Sequence, residues 1–312
     1  MAAGLIAFFA ARATAPIPPP PQLLRVTYHR GTISGARFLP GGQNFVFSAA
    51  WNGATDPTVY SGELPSPGSA PPLPQALGSA QGAVVAVSPA SAIAVLGFPP
   101  TYGKTSLLSV IPASGGAPRP MYRNATAAAW PPHGSELAIA RVDPRTLVST
   151  LEYPAGHVLY RSTGFFTDLR FSAGGKLIAF LNHPVFGDDH GGVAVVDLAG
   201  HKRRLSREFA GANGLAWSPN GREVWFTAAN TIDQSLYAVS LSGKLRRVWQ
   251  APNSLVIDDI APNGHVLLSS NAIRATARVV TAGNSGGQNV TVRDYSAWPA
   301  VSPDGREIAV DD

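Results

Sequence analysis

Apolar and polar positions alternate in short runs along most of this chain, with the period of two that half-buried strands require. The pattern is plainest between Gly211 and Thr227. Leu215 and Trp217 alternate with small residues, Ser218-Pro-Asn-Gly221 makes a turn, and Val224 and Phe226 resume the alternation. Pro219 presets φ for the turn and Gly221 tolerates positive φ. The stretch predicts a hairpin with one face of each strand directed inward.

The same hairpin comes back along the whole chain. Its turn has relatives at Leu39-Pro-Gly-Gly, Ser88-Pro-Ala-Ser, Pro131-Pro-His-Gly, Ser172-Ala-Gly-Gly, Ala261-Pro-Asn-Gly and Ser302-Pro-Asp-Gly. The last turn positions, 42, 91, 134, 175, 221, 264 and 305, differ successively by 49, 43, 41, 46, 43 and 41. Short apolar strands flank each turn, as at Val84 to Val87 and Ile93 to Leu96. Most repeats add a third strand (Thr58 to Leu64, Ser106 to Ile111, Val193 to Leu198, Leu236 to Leu241). An edge strand with outward charge follows at Arg203 to Arg207, Leu245 to Trp249 and Val290 to Tyr295. Four antiparallel strands in a repeat of this length make a propeller blade. The expected fold is therefore all-β: a β-propeller of four-stranded antiparallel blades over residues 23–312, with about six complete blades. A partial seventh blade begins at Ala297, so the pattern reads as incomplete at its C-terminal end. Leu23 to Tyr28 alternates well enough to add a strand to that last blade. The repeat from 125 to 163 is the least regular, and no stretch shows sustained helical periodicity.

Composition agrees with many short strands joined by turns. The 312 residues include 32 glycines and 28 prolines, with 45% hydrophobic and only 14% charged residues. The absence of cysteine excludes disulfides, thiolate metal sites and cysteine nucleophiles. The net charge of +5 is scattered, as at Lys202, Arg203, Arg204, Arg246 and Arg247, without interleaved stacking aromatics. A nucleic-acid partner is not expected from that distribution.

Residues 1–15 form a short apolar segment whose uninterrupted run ends at Arg12, too short for the ~20 residues a membrane span needs. Three readings stay open: the end of a truncated transmembrane helix, a signal-like peptide without a basic n-region, or a disordered tail. A Pro-rich linker at 16–22 follows as a stiff spacer.

The segments Ala36 to Trp51, Leu215 to Thr227 and Val301 to Ala309 resemble TolB-type, WD40-like β-propeller repeats. The order of apolar segment, Pro-rich spacer, Leu24-Arg-Val-Thr-Tyr-His-Arg-Gly-Thr32 and repeats looks like the C-terminal propeller of bacterial receptor-type serine/threonine protein kinases. His183-Pro-Val-Phe-Gly-Asp-Asp-His-Gly-Gly192 before a Val-rich strand fits that resemblance. The kinase motifs themselves are missing: no Gly-rich phosphate loop with its downstream Lys, no His-Arg-Asp and no Asp-Phe-Gly. The resemblance implies that any kinase activity would reside in a domain N-terminal to this chain.

Candidate chemistry is sparse. Gly283-Asn-Ser-Gly-Gly287 lacks the spacing of a nucleophile elbow and reads as a turn. The sequons at Asn124 and Asn289 carry little weight. His183, Asp188, Asp189 and His190 could bind a divalent cation, or form a long loop whose aspartates cap turn amides. Asp168, Asn213, Asp258 and Asp259 fall near the starts of inner strands, the mouth of a propeller's channel, where a ligand could sit by fold analogy. Trp130, Trp217 and Trp298 recur at equivalent inner positions and are expected to pack between blades.

The expected function is binding or scaffolding without catalysis or a cofactor, in the extracytoplasmic sensor part of a membrane signalling protein. The ligand is a protein or small molecule, membrane attachment runs through the N-terminal segment, and the chain is expected to be a monomer in the cell envelope. The competing readings are a free-standing TolB-like periplasmic interaction protein and a propeller lyase or hydrolase. An enzyme should converge several His, Asp, Glu or Tyr side chains on the channel, whereas the inner strands carry mainly Ala, Val, Leu and Phe.

Overall fold

The computed structural model describes residues 22–97, 104–230, 234–250, 255–270, 278–280, 288–290 and 297–311. The apolar segment, nearly all of the Pro-rich linker, the 283–287 turn and most of the 290–295 edge strand lie outside the described residues. Among the described residues there is no helix.

The first repeat is a four-stranded antiparallel sheet of β1 (Gly31–Phe38), β2 (Asn44–Trp51), β3 (Thr58–Glu63) and β4 (Gln75–Gln81). Repeats two and three share one seven-stranded sheet. It contains β5 (Ala83–Val87), β6 (Ala92–Leu96), β7 (Ser106–Pro112), β8 (Arg119–Ala129), β9 (Ala138–Val142), β10 (Ser149–Glu152) and β11 (Val158–Ser162). Repeat four is β12 (Phe165–Phe171), β13 (Leu177–His183), β14 (Gly192–Asp197) and β15 (Lys202–Arg204). Repeat five is β16 (Gly211–Trp217), β17 (Glu223–Ala229), β18 (Gln234–Ser240) and β19 (Leu245–Gln250). Three two-stranded pairings follow: β20 (Leu255–Ile260) with β21 (Val266–Ser270), β22 (Arg278–Val279) with β23 (Gln288–Asn289), and β24 (Ala297–Val301) with β25 (Ile308–Asp311).

Two expectations need correction. Leu23 to Tyr28 forms no strand. Leu23, Leu24 and Tyr28 are exposed, Arg25 bonds the Thr27 carbonyl and stacks over the Tyr28 ring, and Val26 packs beside Phe38 and Phe45. Local contacts thus use up the segment that alternation alone made strand-like. The second correction is the shared sheet. The first part of β8 pairs with β7 and its last residues pair with β9, so one strand serves as the edge of repeat two and the inner strand of repeat three. Asn124, at φ +60°, bends the strand between these roles without a Gly or Pro to announce it.

The core lies between successive repeats. Val59 and Ile111 belong to the cluster between repeats one and two, Leu108 and Ile139 to the next, and Leu151 and Phe180 to that between three and four. Val195 and Phe226 join repeats four and five, and Leu236 and Ile257 join five and six. A further cluster packs Ala261 and Leu267 of repeat six against Phe38, Phe45 and Phe47 of repeat one. Each fully buried side chain of this size contributes about 1.5–3 kcal/mol, so these interfaces supply the main attraction between sheets.

Inner strands carry a recurring irregularity. Register shifts interrupt β1 between Ile33 and Ala36, β5 between Val84 and Ala86, β12 between Thr167 and Arg170, β16 between Asn213 and Leu215, and β20 between Ile257 and Asp259. A bulge bends its strand and raises local twist. In β16 the bulge residue is Gly214, at φ +66°, where a Cβ would stand 2.1 Å from the Ile257 carbonyl oxygen of the neighbouring repeat. Gly221, at φ +65°, meets nothing within 4 Å. Backbone strain alone costs roughly 1 kcal/mol, so Gly221→Ala should lose about that much. Gly214→Ala adds the collision and should lose at least about twice as much. Urea unfolding midpoints of the two variants check this, and equal losses would contradict the close inter-repeat approach.

Candidate functional site

The bulges leave backbone groups without ladder partners, and buried side chains from adjacent repeats supply them. The Val84 amide donates to Ser48 Oγ at 3.0 Å, and the Ile257 amide donates to Thr227 Oγ1 at 3.3 Å. Thr227 in turn donates to the Asn213 carbonyl. Thr126 Oγ1 donates to the Phe166 carbonyl at 2.9 Å. Such groups cannot be left unpaired cheaply in a dry interior.

Where repeat six meets repeat one the partners are charged. Asp258 Oδ1 accepts from the Ala36 amide at 3.0 Å, and Asp259 Oδ2 accepts from the Phe38 amide at 2.9 Å. Arg37 reaches the other way, with Nε donating to the Val85 carbonyl at 3.0 Å and Nη1 to the Asp258 carbonyl at 2.9 Å. Arg170, from repeat four, donates Nη2 to that same Asp258 carbonyl at 3.1 Å. Side chains of two repeats therefore meet on one peptide oxygen of a third. Trp217 Nε1 donates to the Arg170 carbonyl at 3.1 Å and ties in repeat five.

Arg37 and Arg170 occupy equivalent positions, each two residues before its turn, and Asp259 stands at that position in repeat six. The other inner strands carry Ala86, Ala129 and Ala216 there. The guanidiniums bind carbonyls, and among the described residues no ion pair within 4.0 Å joins them to these aspartates. Asp258 is 4% exposed, and its Oδ2 and Arg170 Nε have no hydrogen-bond partner. Burial raises the Asp258 carboxyl to about 6, against the pull of Arg37, Ser269 and the Ala36 amide. Burial, and then the nearby Arg37, lower Arg170 to about 10.

Three of the predicted channel residues thus belong to one electrostatic neighbourhood. Asp258 and Asp259 bond across the seam, and Asp168 is close enough to act on the charge of Arg170 and Asp258. Asp168 sits at φ +55° in the β12 bulge, equivalent to Gly35 and Gly214. Asn213 contributes its carbonyl to Thr227. Sequence reasoning passed over Arg37 and Arg170, although arginine in register with alanines was a visible signal.

The His183 group is arranged differently. His183 is buried in β13 and stacked on Phe165 at 4.4 Å. Its Nε2 pairs with Thr167 Oγ1 at 3.0 Å, and Nδ1 lies 3.2 and 3.3 Å from the Asp189 and His190 carbonyls. Both ring nitrogens are thereby used, and burial lowers the imidazole pKa. Asp188 Oδ1 caps the His190 amide at 2.9 Å, and His190 faces Glu208 at 3.6 Å. No group of three or more His, Asp or Glu side chains that could hold a metal occurs among the described residues. Trp130 and Trp217 pack at the edges of inter-repeat clusters, and the Trp298 side chain lies outside the described residues.

Solved structures share the fold. The chain is similar to TolB from Acinetobacter baumannii, with a TM-score of 0.57, 18% identity, and 73% of this chain and 56% of that one covered. It is similar to a putative TolB from Agrobacterium tumefaciens at a TM-score of 0.56 and 16% identity, covering 76% and 89% of the two chains. The fold is a TolB-like β-propeller. It also resembles part of the tricorn protease, with a TM-score of 0.52, 14% identity, and 88% of this chain but 29% of that one covered. Neither a protein-family model nor a curated protein matches the sequence.

The axial cluster of this propeller should make stability depend on pH. Asp258 keeps its proton in the folded state between its ordinary 3.8 and about 6, whereas the unfolded chain has released it. The resulting stabilisation, about 3 kcal/mol at full extent, is present below pH 3.8 and lost as pH rises through 6. Asp258→Asn retains an acceptor for Ala36 and should flatten this dependence between pH 4 and 7 in denaturant titrations. Asp258→Ala should destabilise at every pH, by about 1–3 kcal/mol.

Proposed function

We propose that this chain is a non-enzymatic binding propeller, the extracytoplasmic sensor or scaffold part of a membrane signalling protein of serine/threonine kinase type. The observation that carries the reading is how the axial polar groups are employed. Arg37, Arg170, Asp258 and Asp259 hold backbone amides and carbonyls of neighbouring repeats, the work of a lock. A reaction centre instead aims such groups at a substrate. With its axis committed to holding the ring, the propeller offers its rims and clefts to partners.

In this reading the ring has six blades, closed by the cluster that joins repeats six and one, and the hairpin of β24 and β25 begins a further repeat. The apolar segment at 1–15 and the Pro-rich spacer supply membrane attachment ahead of the ring.

Paired reporters fused after Asp312 test the location. An export-dependent phosphatase should be active and a cytoplasmic galactosidase inactive, and the reverse would overturn the reading. Fractionation of the same cells separates the sensor from a free-standing, TolB-like interaction protein. The sensor reading expects the fusion in the membrane pellet after a high-salt wash. Release into the soluble envelope fraction would favour the alternative.

A further inference from the structure

Along β9 the side chains alternate between two interfaces. Leu137 and Ile139 face repeat two, while Ala138 and Ala140 face repeat four. Arg141 continues the row that faces repeat two. It pairs across the sheet with Thr150 of β10, which pairs in turn with Arg161 of β11. Paired residues on adjacent strands share a face, so Arg141, Thr150 and Arg161 form one polar row where the apolar interface of repeats two and three ends. Leu151, on the opposite face, is buried between repeats three and four.

This row lines a cleft of about 570 Å³, completed by Asn124 from the bend of β8 and by Arg145 and Thr146 from the β9–β10 turn. That volume is the size of a small-molecule site. Its two carboxylates are already occupied. Asp143 Oδ1 accepts from the Arg145 amide at 2.8 Å and the Thr146 amide at 3.3 Å, and these bonds hold its pKa down. Glu152 is buried and accepts from Thr150 Oγ1 at 2.8 Å and the Gly156 amide at 2.9 Å, with Arg141 Nη1 at 3.7 Å. The guanidiniums of Arg145 and Arg161 make no hydrogen bond or ion pair among the described residues. The cleft thus has planar donors without a hydrogen-bond partner, which suit oxyanions, and its three guanidiniums, Arg141, Arg145 and Arg161, outnumber the two carboxylates, Asp143 and Glu152.

We propose that this cleft binds a small organic anion, its phosphate or carboxylate group held by Arg145 and Arg161. Asn124 supplies hydrogen bonds to the ligand's neutral part, and Thr146 and Thr150, whose hydroxyl protons go to Asp143 and Glu152, offer acceptors only. The site lies apart from the axial cluster, and its occupation does not depend on where in the cell the propeller resides.

Calorimetric titration of the full chain with inorganic phosphate, citrate and glucose 6-phosphate, at matched ionic strength, tests the site. At least one organic anion should bind in the sub-millimolar range, more tightly than inorganic phosphate. Citrate alone would identify a carboxylate ligand and the sugar phosphate alone a phosphate ligand. Arg161→Ala should weaken binding about tenfold and Arg145→Ala/Arg161→Ala should abolish it, since each removes a charge-assisted contact. Both side chains are exposed, so an unchanged thermal midpoint is expected and separates lost binding from lost folding. No binding by any of the three anions, or equal binding by wild type and double variant, would overturn the proposal.

Discussion

Inner strands that converge on an axis cannot keep a regular ladder, and the bulges this forces are what the rest of the structure must accommodate. Each bulge frees amides and carbonyls in a place that water reaches poorly. The solution recurs from repeat to repeat: the freed group is met by a side chain from the preceding repeat. Ser48, Thr126 and Thr227 do this with hydroxyls. The consequence is cooperative, because a strand's local hydrogen bonding is complete only when its neighbour is in place. Apolar clusters supply most of the attraction between sheets, but they are tolerant of small shifts. The hydroxyl contacts fix the register at which those clusters meet.

Much of this was legible in the chain and some of it was not. The turns announced themselves through Pro219 and Gly221 and their relatives, because turn chemistry is local and needs a particular φ. Strand alternation around each turn was equally local. The shared sheet of repeats two and three was hidden because Asn124, not a Gly or Pro, bends β8 into its second role. The misreading of Leu23 to Tyr28 has the opposite cause. Its alternation is real, but alternation cannot say whether a sheet edge is available to receive it.

The candidate site divides along the same line. Asp168, Asp258 and Asp259 could be placed near the axis because their distance from the turn is fixed by the repeat. Their arginine partners were missed because no motif marks them. Only alignment of the repeats shows Arg37 and Arg170 where Ala86, Ala129 and Ala216 stand. The His183 stretch left two readings open, a cation site or a loop capped by its aspartates. Two imidazoles and two carboxylates lie within eight positions, yet strand direction buries His183 against Phe165 and leaves Asp188 to cap its own loop. Proximity along a chain is a poor guide to convergence in a sheet protein, where successive side chains point to opposite faces.

The seam between repeats six and one poses a separate problem, which its charges answer. Repeat seven has the same turn and similar apolar strands as repeat six, so an apolar seam would accept either as the neighbour of β1. Asp258 and Asp259 discriminate, because they present two acceptors to the amides of Ala36 and Phe38. Repeat seven carries Pro299 and Ala300 at the equivalent positions and has no acceptor to offer. Arg37 adds a second condition, since its Nη1 needs the Asp258 carbonyl in place. An unpaired Asp258 oxygen and an unpaired Arg170 nitrogen accompany the arrangement, at a cost on the order of 1–3 kcal/mol each. That cost is tolerable if the alternative is a ring closed on the wrong repeat, where the amides of β1 would go unmet. The buried charges are therefore better understood as selecting the partner than as strengthening the ring.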